Sequence, residues 1–520
     1  MVKLQGLCVG TTKVEVREDA ELLVGCNHSC DSARTMTTAI PCPVRGTWIP
    51  TVHANCYHNE VRALVTRSLK PTPGPAEGGR AHLVGAFKRI KDVASRYGGQ
   101  QWGYDETAHS YTGALRRRYL EASASLLDEG PICSRDTVIK AFLKAEKVRV
   151  DVVSKPRLIF PRSPRYNLHI ASWLKPFEHW LWGNLKSKAL SCVGNSRVVA
   201  KGLNQVQRAN LIARKMRGFA DCVVFEVDGS SFEAHISKEQ LELEHSVYLK
   251  AYRGDSDLQR ALSYQLFNEG KTFNGVKFSR EGGRASGDFN TGMGNSLIMC
   301  AVVMATMGIL KRPYDMLVDG DNALIFLSAK DVDFVRGKFH ETALYVSGHE
   351  IVLENPVSVY EKVRFGQSGP IRCPRRGNVM VRDWKKVLSQ ATSSHHNLPS
   401  PKFSRKYLRG IALCEASLGD GIPIVWKYTR NLLKLTENAK IADVRTIREY
   451  QYLGVDVDNL DQVVVREPDE NTRLSFEKGW GVTVPEQHLI EKELDAMLLD
   501  TSKVNNYLSL DEALSLVEDL

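Results

Sequence analysis

Residues 316–327, MLVDGDNALIFL, constrain the fold of this chain more tightly than any other stretch. Two apolar runs flank a polar centre of Asp319, Gly320, Asp321 and Asn322. Apolar arms around an Asp-Gly turn predict a tight β-hairpin, whose rigid tip holds a carboxylate at a fixed place. By itself the pattern also suits an ordinary surface turn, since Asp, Gly and Asn are the usual turn residues. Two further segments give it meaning. Upstream, 222–227 (CVVFEV) is a β-prone run that ends at Asp228, with Glu233 five residues later. Between the two lies 286–295, SGDFNTGMGN, directly before the longest apolar stretch, 296–310. Its glycines permit a tight loop, and its hydroxyls and amides suit hydrogen bonds to a sugar. The apolar stretch has 15 residues, short of the ~20 that span a bilayer. It is expected as a buried helix, and no transmembrane segment is expected in the chain.

Carboxylates from two strand ends, brought side by side, meet the physical need of nucleotidyl transfer. Two divalent ions about 4 Å apart activate an attacking 3′-hydroxyl and neutralise the leaving pyrophosphate. Asp228 and Asp321 are the expected pair. The densest basic patch lies further upstream, with Lys144, Lys147, Lys155, Arg157, Arg162 and Arg165. Its cations alternate with prolines and aromatic or β-branched residues, not with acids at i+4 spacing. That argues against a salt-bridged helix face and for an extended strip of donors. Arginine suits bidentate phosphate contact, and lysine acts as a point charge for a triphosphate.

The distribution of charge agrees. Charged residues make up 25% of the 520 and hydrophobic ones 43%, which excludes wholesale disorder. Residues 441–520 hold 18 Asp/Glu against 7 Lys/Arg, a net of −11, so residues 1–440 carry a net of +21. A basic body of that size predicts a polyanionic partner. Eleven cysteines over this length do not make a disulfide scaffold, and a reduced compartment is expected. Cys8, Cys26, His28, Cys30, Cys42, Cys56 and His58 lack paired zinc-ligand spacing, so a zinc site and scattered buried thiols both stand as readings.

With these motifs the chain resembles the RNA-dependent RNA polymerases of positive-strand RNA viruses, specifically the tombusvirus-like family. KAEK at 144–147, PRLIFPRSPRYN at 156–167, VDGSSFEAH at 227–235, SGDFNTGMGN at 286–295 and DGDN at 319–322 carry the resemblance. VMVRDW at 379–384 and TRLSFEKGWGVTVPEQ at 472–487 extend it. The resemblance implies an α+β right-hand fold of fingers, palm and thumb, with an antiparallel palm sheet flanked by helices. It implies an N-terminal segment of the fingers at 1–70, fingers with the basic strip at 71–200 and palm at 201–236. Fingers follow again at 237–285, palm at 286–372, and a thumb with an acidic tail at 373–520.

The same resemblance implies RNA synthesis on an RNA template from ribonucleoside triphosphates. Two Mg²⁺ or Mn²⁺ ions would sit on Asp228 and Asp321, with Asn322 beside them in the catalytic hairpin. Lys147, Lys155, Arg157 and Arg165 would escort the triphosphate, and Glu233, Ser286, Thr291 and Asn295 would read the ribose 2′-hydroxyl. Lys144, Arg162, Gly287 and Gln367 would meet RNA, Gln367 from a turn that resembles a primer-grip hairpin. The implied partners are template RNA, nascent RNA and a viral membrane-targeting replicase subunit. The implied location is the host cytoplasm, at membrane-associated replication complexes.

Two departures from the family pattern matter. Gly320-Asp321-Asn322 replaces the usual Gly-Asp-Asp, which removes one negative charge, and Asp319 is a candidate to restore part of it. Glu233 stands where an Asp is usual. A catalytically impaired RNA-binding relic is therefore the alternative reading. Lys338, His340 and His349 are all eligible as the acid that protonates pyrophosphate. At the acidic end, 508–520 places Leu510, Leu514 and Val517 at helical spacing. Such a helix would either cap the thumb or lie near the RNA channel and repel template.

Overall fold

The computed structural model describes residues 34–149, 151–152, 154–395, 398, 400–440 and 448–500, with the short strands Thr12–Glu15 and Val504–Asn506. The architecture is a mixture of helix and sheet. At its centre, four antiparallel strands run in the order Ile351–Leu353, Cys222–Gly229, Asn322–Ser328, Asp315–Asp319. Strand Asn322–Ser328 buries five residues in succession, because both faces of this sheet are covered. Side chains alternate between two cores. Phe225, Val227, Ile325 and Leu327 pack with the helices Thr291–Leu310 and Ala329–Ser347. Val224, Leu324 and Phe326 face the helix Gln205–Met216 through Ala209 and Ile212.

The expected hairpin is present, with strands Asp315–Asp319 and Asn322–Ser328 in the register Asp319 opposite Asn322. The apolar stretch forms the helix Thr291–Leu310, buried inside the protein as its composition requires. It starts five residues earlier than the apolar run, so Thr291 and Asn295 sit on its first turns.

A second, five-stranded sheet has the order Thr12–Glu15, Lys277–Glu281, Phe267–Thr272, Ile139–Leu143, Leu158–Ile159. It joins the flanks of the basic strip to residues 267–281. Leu64, Leu69, Leu143, Leu158, Phe160 and Phe278 pack beneath it. A third assembly gathers the hairpin Ser368–Cys373 and Gly377–Arg382 with the helices Pro401–Gly419, Val425–Leu435 and Glu470–Trp480.

The N-terminal segment divides. Residues 57–69 lie with the basic-strip sheet, but Ala39, Ile40 and Val44 join the C-terminal core beside Trp384 and Tyr428. Strand Thr35–Thr38 explains this, because it pairs with Ser393–Ser394 on one side and Val504–Asn506 on the other. Residues 35–44 thus form a strap to the C-terminal core, while 57–69 stay with the basic-strip sheet. Among the described residues the cysteines are free thiols, and no group of three or more Cys, His, Asp or Glu forms a metal cluster. Cys56 uses its sulfur to cap the helix Tyr57–Ala63, accepting from Asn59 N at 3.4 Å. Cys8, Cys26, His28 and Cys30 lie outside the described residues, as does the acidic segment 508–520.

Candidate active site

The hairpin tip is a two-residue turn with a positive φ at Gly320 alone (+61°), the conformation a glycine adopts without strain. Ser296, on the first turns of the helix Thr291–Leu310, fixes it by accepting the Gly320 N–H at 2.9 Å. Across the sheet, Asp228 lies opposite Asn322, and Gly229 N donates to the Asp321 carbonyl at 3.0 Å. Two strands and one tight turn therefore set Asp228 beside Asp321. Both carboxylates open into one cavity of about 390 Å³. Asn322 stays outside its lining.

The pair is electrostatically frustrated. Burial, with added repulsion from Asp321 and Glu354, pushes the Asp228 carboxyl up to about 6. Burial likewise raises Asp321, against the pull of Arg157, Lys201 and Arg67. Glu226, two residues before Asp228, is pushed up to about 7, mainly by burial and further by Asp228 and Glu354. Crowded carboxylates of this kind lack positive charge, which a divalent cation provides. The donor set fits such an ion at Asp228 and Asp321.

Asp319 does not compensate for Asn322. Its carboxylate is held by Lys201 Nζ at 2.9 Å and Arg208 Nη1 at 2.8 Å. Those two cations overcome the effect of burial and keep it below its ordinary range. It is absent from the cavity lining, and its charge is already spent on Lys201 and Arg208.

Cations share the cavity with the acids. Arg67, Lys144, Arg157, Arg280 and Arg284 line it, together with Glu233, Ser286 and Thr291. Lys144 and Arg157 share Glu146, at 3.1 and 3.5 Å. Asn295 is buried one layer behind, where its Oδ1 accepts from Arg284 Nε at 3.0 Å. Arg284 also pairs with the buried Glu244. Burial raises the Glu233 carboxyl, with Arg284 opposing. Thr291 Oγ1 donates to the carbonyls of Asp288 and Ala285, at 2.9 and 3.1 Å, and Ser286 donates to Leu158 O at 3.3 Å. Arg67 was not anticipated. It lies in the short π-helical turn Leu64–Ser68, far from the acids in sequence, and only the sheet packing brings it to them.

Four of the expected contact residues are structural here, and two stand elsewhere. Arg162 is buried, with Nε donating to Asp288 Oδ1 at 2.7 Å and Nη1 to Thr137 O at 2.6 Å, so it ties the strip to the 286–291 loop instead of facing RNA. Arg165 is used by Asp136 at 3.2 Å, Ser125 and the Gly130 carbonyl. Gly287 packs on the 160–161 backbone, where an added Cβ would lie 2.6 Å from the Phe160 carbonyl. Lys147 donates to Gln390 O at 2.7 Å and, desolvated, falls to about 8. It lines a second cavity of about 540 Å³, together with Gln367 and Lys144. Lys155 is exposed and outside both linings. The three eligible acids also lie away from the cavity lining. His349 is buried against Gln240 and pushed down to about 3 by burial, His340 bonds Ile351 O at 2.7 Å, and Lys338 lies over Phe334.

Asp321 at the hairpin tip and Asp228 on the neighbouring strand thus share one cavity with several arginines. Residues 34–502 match the family described as viral RNA dependent RNA polymerase, and the chain belongs to that family. Among its relatives, the RNA-directed RNA polymerase of carnation mottle virus is 30% identical over 468 residues, which cover 87% of this chain and 59% of that protein. That of turnip crinkle virus is 29% identical over 468 residues, covering 86% and 58%. That of cucumber necrosis virus is 30% identical over 482 residues, covering 88% and 56%. The chain spans less than two thirds of the length of these relatives.

Proposed function

We propose that the chain performs template-directed RNA synthesis from ribonucleoside triphosphates, in viral genome replication and transcription. One observation carries the reading: Asp228 and Asp321 stand side by side in a cavity that Arg67, Lys144, Arg157 and Arg284 also line. In this reading the central sheet is the palm, the basic-strip sheet belongs to the fingers, and the C-terminal helices form the thumb.

Asp228 and Asp321 would hold two divalent ions, Mg²⁺ or Mn²⁺. Such ions supply neutralising charge at the leaving pyrophosphate and make a 3′-hydroxyl a better nucleophile. The chain's own residues supply orientation. Arg67 and Arg157 line the same cavity as the acids and pull electrostatically on Asp321, which suits them to a triphosphate, and Lys144 adds a point charge to the same lining. Glu233, Ser286 and Thr291 offer the ribose its polar contacts, with Asn295 behind Arg284. The proposal includes RNA template and product on the basic body. On the resemblance alone, it also includes a membrane-targeting viral replicase subunit as partner and replication complexes in the host cytoplasm.

Both acids line the cavity, and nothing favours an impaired relic. The test is incorporation of labelled ribonucleotide by purified protein on an RNA template with Mg²⁺ or Mn²⁺. Template-dependent product is expected, and its absence under both ions would overturn the reading.

A further inference from the structure

One side chain joins the strand of Asp228 to the turn at 365–368. Glu226 lies two residues before Asp228, so their side chains share a face of that strand. Partly buried, its Oε1 accepts the Gly366 backbone N–H at 3.0 Å. The turn itself is tight: Phe365 N donates to Ser368 O at 2.8 Å, and Ser368 N to Phe365 O at 3.2 Å. Both central residues are left-handed, Gly366 at φ +58° and Gln367 at φ +65°. Glycine tolerates that conformation, whereas glutamine is held in it only by its surroundings. The surroundings are specific. Gln367 O accepts from Asp383 N at 3.2 Å, and Gln367 Oε1 from Lys386 Nζ at 3.0 Å.

The turn also belongs, with Lys147, to a cavity that shares one lining residue, Lys144, with the catalytic cavity. A strand of RNA whose end reaches the acid pair would pass this turn. We infer that Glu226 is a positioning residue that clamps the 365–368 turn to the strand bearing Asp228, so that RNA held by the turn keeps a fixed distance from the acid pair. The hydrogen bond, not the charge, does this. The inference rests on the polymerase reading and names a residue outside the acid pair and its cationic wall.

Glu226→Gln keeps an oxygen acceptor and removes the charge, while Glu226→Ala removes both. On a primed RNA template, Glu226→Ala is expected to raise the apparent KM for template by roughly tenfold, the upper scale of one ordinary hydrogen bond. The KM for nucleotide should stay unchanged, and Glu226→Gln should restore the wild-type template KM. Hydrogen exchange at the Gly366 amide should be protected in wild type and Glu226→Gln, and open in Glu226→Ala. A wild-type template KM in Glu226→Ala, or a Glu226→Gln as poor as Glu226→Ala, would overturn the inference. Should wild type incorporate no nucleotide, the polymerase reading fails, and the Gly366 exchange still decides the clamp.

Discussion

At the scale of the residue, the site is governed by two carboxylates that repel each other. Asp321→Ala is expected to lower nucleotide incorporation by at least about 100-fold, since a lost metal ligand removes several kcal/mol of transition-state stabilisation. RNA binding should be nearly intact, because affinity comes mostly from phosphate contacts on the basic body. Asp228→Ala should behave alike, and incorporation near wild type in either variant, measured on one template, would remove that carboxylate from catalysis.

The raised Asp228 carboxyl has a further consequence for the metal-free protein. Its folded value of about 6 exceeds the ordinary value of 3.8, so the folded state binds the proton more tightly than the unfolded chain. The stabilisation from this group is therefore present below pH 4 and is lost as pH rises through 6. Asp228→Asn should raise Tm at pH 7.5 by an amount on the order of 2 °C, kept small by solvent screening of an open carboxylate, and should leave it unchanged at pH 4. Thermal melts in EDTA at the two pH values check this. Asn322 is a separate matter. It pairs opposite Asp228 outside the cavity lining, and Asp319 is already neutralised by Lys201 and Arg208. Asn322→Asp thus adds charge that nothing nearby cancels, and should shift the Mg²⁺ titration of activity. Coincident Mg²⁺ and Mn²⁺ curves for parent and variant would show that position 322 does not sense the ions.

At the scale of the element, the hairpin, the Asp228 strand and the apolar helix were legible because their patterns are local. Alternating or continuous burial leaves its mark in a short window. The basic strip was legible only in part. Residues 144–165 are not one extended row of donors, because the helix Pro164–Asn184 begins within them, capped by Ser163 and opened by Pro164. A serine followed by proline at a helix's first position was the available signal. Once that helix begins, Arg162 and Arg165 turn inward to Asp288 and Asp136, and only Lys144 and Arg157 remain at the cavity. Arg67 left no local signal, because its role arises from sheet packing between segments distant in sequence. The buried Arg162–Asp288 pair makes a prediction of its own. Arg162→Ala leaves Asp288 buried without its cation and should cost about 3–5 kcal/mol of stability. Denaturant unfolding should show that loss, and a variant as stable as wild type with weakened RNA binding would return Arg162 to the RNA surface.

At the scale of the whole molecule, a strand near the N-terminus is sewn to segments near the C-terminus. Strand Thr35–Thr38 runs between Ser393–Ser394 and Val504–Asn506, so residues far apart in sequence share one small sheet. Nothing in the composition of 34–50 announced this, since pairing partners so distant leave no periodicity to read. The arrangement bears on the acidic end. Truncation after Asp500 would remove the strand Val504–Asn506 along with the acids, mixing a loss of pairing with a loss of charge. Truncation after Asn506 separates them, because it keeps the strand and deletes 507–520, which carries four acidic residues and no Lys or Arg. If those carboxylates lie near the RNA path, their removal should tighten RNA binding most at low salt. The gain should fade near physiological ionic strength, where the Debye length is about 8 Å. Binding isotherms at several salt concentrations decide the matter. Equal affinity for the full chain and the Asn506 truncation at every concentration would leave the end a cap on the C-terminal core, with no part in excluding RNA.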